Sequence, residues 1–326
     1  IQDVLRTGLK ALLGDRAQPL PVQERVRAGF LLGGIGDSRF PVGLDDCRNK
    51  LQQRNEQFGQ STGYWCYVRP GIYRIGGWEE NEASADITLP PFWIAQFPIT
   101  IAQYAPFVED GYSDAAKHYW TSNGWQWKQD RQRAEPLFWG DEGYSAANQP
   151  LIGVTCYEAM AYAAWLSEQL HEVLPADYAI RLPTEAEWEA AAAYDTAMQR
   201  RLYPWGDEEP TTEYAIYDAA GFNNPVPVGC CVAGRAVCGA LDLAGNVWEW
   251  TVSNADHYPE KSQVQMGDVP SGEFIVPSRG GAYFQSSTGV RCGARLRNRP
   301  NNDLGNDGFR VVVAPRSRTN VLNTAS

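Results

Sequence analysis

In Arg181-Leu-Pro-Thr-Glu-Ala-Glu-Trp188 a helix is started by its own side chains. Thr184 and Glu187 have the capping-box spacing, in which each side chain satisfies a backbone N–H that the first helical turn leaves free. Trp188 and Ala191 follow as the first apolar positions. Upstream, Thr155 and Glu158 repeat the box, followed by Ala159, Tyr162, Ala163 and Leu166 on one face. These two segments are the main helices the sequence predicts. Thr100 is a further N-cap, for a helix through Val108.

Strand patterns flank these helices. Tyr67–Ile75 and Ile87–Ile94 are rich in β-branched and aromatic residues. Arg279–Val313 reads as a strand, a long polar stretch and a final strand. Residues 111–150 and 195–240 lack periodicity, and their Trp and Tyr side chains predict ordered loops anchored by aromatic burial. Residues 1–60 differ. Val4, Leu5, Leu9, Leu12 and Leu13 recur at helical spacing, Pro19 and Pro21 interrupt, and Val22–Leu32 predicts a second helix ended by Gly33-Gly34. The expected organisation is a helical N-terminal arm, or the tail of an upstream domain, over 1–60, then one domain over 61–326. A chain beginning at Ile1 reads as processed or as the C-terminal piece of a longer protein.

The chain has 326 residues and a formal charge of −11, a balance poorly suited to phosphate backbones or anionic membranes. No apolar run approaches the roughly 20 residues of a membrane span. Seven scattered cysteines read as reduced thiols, hence a cytoplasmic location.

Six segments taken in order resemble the formylglycine-generating enzymes. They are Trp93-Ile-Ala-Gln-Phe-Pro-Ile-Thr100, Arg181–Trp188, Tyr203-Pro-Trp-Gly-Asp207, Leu243-Ala-Gly-Asn-Val-Trp-Glu-Trp250, Arg279-Gly-Gly281 and Gly308-Phe-Arg310. The resemblance implies an α+β, C-type-lectin-like fold, rich in loops, with two main helices and small antiparallel sheets. Physically, the same segments supply Trp plugs and three arginines, Arg181, Arg279 and Arg310, able to pair with Glu185, Glu187 or Glu249.

The resemblance also sets the chemistry to look for. That family holds copper with two cysteines after the Gly-Gly pair. Here the first falls on Gln285, the second falls in a stretch without a thiol, and Cys292 matches a different turn. Gln and Ser cannot replace thiolates around soft copper. Sulfoxide synthases of the same fold hold iron with three histidines, whereas His118, His171 and His257 are scattered. The reading is therefore of no enzyme and no redox cofactor. A structural calcium is expected instead, carried over from the family onto the side chains of Asp242 and Glu249 and the carbonyls of Gly245 and Val247.

Residues 282–307 contain no Lys, Glu, Met or Trp. The segment resembles the variable region of proteins diversified by retroelements, in which mutated Asn codons exclude those residues and Gln; only Gln285 departs from that set. The display surface expected from it comprises Tyr283, Phe284, Ser286, Ser287, Thr288, Gly289, Leu296, Asn298, Arg299, Asn301, Asn302, Leu304, Asn306 and Asp307. The resulting expectation is a non-catalytic binder of a protein or other macromolecule, with no nucleic-acid or membrane partner. The alternatives are a metal-dependent oxidoreductase and a sensor module joined to an upstream signalling domain.

Overall fold

The computed structural model describes residues 1–60, 63–259, 274–303 and 305–316. Ten strands form three sheets. One has the order β1 (Trp65–Val68), β4 (Phe92–Ala95), β10 (Val312–Pro315), β5 (Tyr178–Arg181). β2 (Gly71–Gly76) and β3 (Ser84–Leu89) pair as a hairpin. The third has the order β8 (Arg295–Asn298), β7 (Val276–Arg279), β6 (Trp248–Trp250), β9 (Asp307–Phe309). The sheets are small and mostly antiparallel, as an α+β lectin-like fold requires, but β6 and β9 run parallel.

Both capping boxes form. Thr155 opens α6 (Cys156–Gln169) and Thr184 opens α7 (Glu185–Ala193). Thr100 with Gln103 opens α4 (Ile101–Gly111) in the same way. Every residue of α7 is buried, because helix and strands surround it. Its carboxylates are neutralised from neighbouring elements. Arg181 on β5 grips Glu187 at 2.6 and 2.7 Å, and Arg279 on β7 reaches both Glu185 and Glu189 at 2.8 Å. Unpaired, each of these buried charges would be strongly destabilising; paired, they fix which strand meets which helix face.

Two helices lie where the sequence predicts none: α3 (Leu44–Gln52) and α5 (Ser122–Asp130). The reason is visible for α5. Thr121 caps it, and Gly124 lets it approach the Tyr157 side chain on α6, so tertiary packing of Trp127 replaces an apolar stripe. The N-terminal residues form α1 (Gln2–Gly14) and α2 (Val22–Gly34). Leu13, Val22, Val26 and Leu32 pack on Ile216, Val226 and Cys230. Asn148 ties α2 to the body by donating to the Gly29 carbonyl at 2.8 Å and to Asp37 at 3.1 Å.

Candidate functional site

Asp307 opens β9 in register with Trp248 of β6, which brings its side chain against β7 and β8. The residue is only 6% exposed. One carboxylate oxygen accepts from the Asn298 amide at 3.2 Å; the other is buried with no hydrogen-bond partner among the described residues. The Trp248 indole N–H is buried and unpartnered among the described residues, and the buried Ser278 hydroxyl has only Asp307 beside it. Burial pushes the Asp307 pKa up to about 6, and the nearby Ser278 hydroxyl opposes that rise. Cys156, the first residue of α6, stands close enough to feel the Asp307 charge, although burial is the main reason its thiol is pushed up to about 12.

Asn298 connects this buried acid to an open cavity of about 560 Å³. Arg131, Arg297, Arg299, Asn301 and Asp303 contribute to its walls. The charges are not equally available. Asp303 pairs with Arg133, and Arg297 pairs with Asp256. Arg299 is exposed and has no acidic partner among the described residues. The cavity thus presents guanidinium and amide donors, with the buried Asp307 behind Asn298. Such a site suits a small molecule with an anionic group, held by the arginines and the neighbouring amides.

The expected display surface divides. Asn298, Arg299, Asn301 and Asn302 line this cavity, Leu296 lies on β8, and Asn306 accepts the Trp248 backbone N–H at 2.9 Å. Asp307 faces inward from β9 and is not displayed. Tyr283 and Phe284 instead meet edge-to-face at 5.1 Å, with Phe284 exposed and Tyr283 packed toward the helical arm. Ser286 and Thr288 share a hydrogen bond of 3.0 Å, Ser287 starts a short helical turn, and Gly289 crowds Gln285. Leu304 lies outside the described residues.

The residues expected to hold calcium do not fit that ion. Both Glu249 oxygens accept from Arg310, at 2.6 Å each, and Oε2 also accepts from the Trp188 indole at 2.7 Å. A hard cation would have to displace a guanidinium from the core. Asp242 accepts the Gly229 N–H at 2.6 Å, and burial pushes its pKa up to about 6. The Gly245 carbonyl accepts the Val247 N–H at 3.0 Å, and Val247 is fully buried.

Redox metals fare no better within these residues. No three His, Cys, Asp or Glu side chains gather to hold an ion among the described residues. All seven cysteines are buried as free thiols. Cys230 and Cys231 pack against the arm while Cys238 packs in another cluster. His118, His171 and His257 are exposed, and the first two engage the carbonyls of Ala115 and Glu168.

The family model of the sulfatase-modifying factor enzyme 1-like domain matches residues 51–315. The chain belongs to this family. A hercynine oxygenase of Mycobacterium tuberculosis is 37% identical to this family member over 192 residues, 55% of this chain and 42% of the relative. A hercynine oxygenase of Mycolicibacterium thermoresistibile is 33% identical over 240 residues, 68% of this chain and 50% of the relative. The chain therefore spans half or less of the length of these relatives. Treponema denticola variable protein 1 superposes with a TM-score of 0.57 at 21% identity, over 77% of this chain and 95% of the other, a likeness of fold.

These findings correct three expectations. The non-catalytic display protein, the absence of enzymatic activity and the absence of a redox cofactor all conflict with relatives that are oxygenases. The reading tested two arrangements, copper on cysteines after the Gly-Gly pair and iron on three histidines, and took their absence as absence of the chemistry. It could not speak to oxidation with ligands drawn from elsewhere. Sequence reasoning gave no such role to Ser278 and Cys156, which lie near Asp307, or to Arg131, which lines the cavity; distant segments place them and no local pattern marks them.

Proposed function

We propose that this sulfatase-modifying-factor-like chain forms part of a metal-dependent oxygenase acting on a small amino-acid betaine of the hercynine class. The observation that carries the reading is the identity to hercynine oxygenases over more than half of this chain. Hercynine, a histidine betaine, combines a carboxylate, a quaternary ammonium and an imidazole. The cavity has complementary chemistry. Arg299 and Arg131 take the carboxylate, and the Asn298 and Asn301 amides line the remainder, with Asp307 buried behind Asn298. Asn298 holds one Asp307 oxygen, so that amide is oriented before substrate arrives. The free thiols accord with a reducing, cytoplasmic setting.

Calorimetric titration with hercynine tests the placement. Saturable binding is expected, weakened roughly tenfold by Arg299→Ala with no change in melting temperature. Absence of binding, or binding unaltered in both Arg299→Ala and Asp307→Asn, overturns it.

A further inference from the structure

A second cavity, of about 340 Å³, lies between the helical arm and the body. The arm contributes Lys10 and Leu13 from α1 and Lys50 from α3; the body contributes Arg235, Phe97 and Leu241. We propose that this cleft binds a small phosphate-bearing anion that clamps the arm to the body. The argument rests on cations without anions. No Asp or Glu side chain lines the cleft among the described residues. Arg39 also reaches it, but its charge is met by Asp37 at 2.6 Å.

The other cations are not met. Lys10 donates to the neutral Ser38 hydroxyl at 3.1 Å and has no ion pair among the described residues. Lys50 has no ion pair among the described residues. Arg235 is half-buried, and its Nε is buried with no hydrogen-bond partner. Burial is the main cause that pushes the Arg235 pKa down; Cys66 opposes that fall and Arg16 adds to it. These three cations, with no carboxylate among the described residues lining the cleft, make a local positive patch on a chain of net charge −11.

The size and the charge of the lining favour phosphate. A guanidinium fork with flanking ammonium groups matches a doubly charged tetrahedral oxyanion, whereas one carboxylate would leave most of the charge unmet. The volume admits phosphate, pyrophosphate or a short phosphate ester whose apolar part meets Leu13, Phe97 and Leu241. It does not admit a polymer. Because the two walls come from arm and body, occupancy favours the docked arm.

The test is thermal denaturation and hydrogen exchange with inorganic phosphate and with pyrophosphate, ionic strength being held constant with sodium chloride. The expected result is saturable stabilisation, with slowed exchange around residues 10–14 and 232–241. Arg235→Gln and Lys50→Gln are each expected to weaken the apparent affinity roughly tenfold. If Arg235→Gln fails to fold, the partly exposed Lys50→Gln decides. An equal shift from chloride alone, or an affinity unchanged in both Lys50→Gln and Lys10→Gln, overturns the proposal. Hercynine titration of the same variants keeps this outcome separate from that of the proposed activity.

Discussion

Arg310 and Glu249 form a two-pronged ion pair in the core: Nε to Oε2 and Nη2 to Oε1 are both 2.6 Å, and both residues are 0% exposed. Arg310 also donates to the carbonyls of Ala95 at 3.0 Å and Leu241 at 2.8 Å. One side chain therefore joins β4, β6 and the strand-bearing C-terminal segment.

Removing one partner should be far worse than removing both. Arg310→Met strands a buried carboxylate and is expected to cost about 3–5 kcal/mol. Adding Glu249→Gln, which keeps an acceptor for Trp188, should recover part of that loss. Urea denaturation of the two single variants and the double variant measures the coupling; strict additivity would refute it.

Gly245 has φ +79°, and an added Cβ would collide with the Ile216 carbonyl. Gly245→Ala should therefore destabilise the chain by about 2 kcal/mol or more, through both backbone strain and collision. Thermal melting checks this. Gly140→Ala serves as the comparison, because Gly140 also has positive φ but open space around it.

Asp307 makes stability depend on pH in a definite direction. Its folded pKa of about 6 lies above the ordinary carboxylate value, so its protonated form stabilises the fold at low pH. That contribution is complete below about pH 4 and is lost as pH rises through about 6. The groups around the acid are Ser278 on β7, Asn298 on β8 and Cys156 on α6, none of them a cation. Asp307→Asn should flatten the slope of stability between pH 4 and 6 and stabilise the chain at pH 8, by on the order of 2 kcal/mol. Denaturation at several pH values reads this, and an unchanged slope would count against an unpaired buried acid.

The local parts of the fold were legible in the sequence. Thr155, Thr184 and Thr100 announce their helices because a capping box is a contact between residues three apart. Arg181, Arg279 and Arg310 could be read as needing buried carboxylates, but their partners could not be assigned locally. Arg279 uses Glu189 as well as Glu185, because α7 turns both toward β7. α5 escaped notice because its stability comes from packing on α6. Asp307 looked like one more display residue. Its burial follows from the parallel register of β9 on β6, a pairing between distant segments that no local pattern encodes. The cavity needed Arg131 from α5's end to meet Arg299 near β8, again a product of the fold alone.

Oxygen uptake is the most direct measurement of the proposed activity. The protein expressed from its complete gene would be loaded with iron(II) or copper(I) and given hercynine, with a small thiol as reductant. The account predicts uptake that depends on hercynine and falls in Arg299→Ala. Folded, metal-loaded protein that consumes no oxygen in response to hercynine with either metal would contradict it.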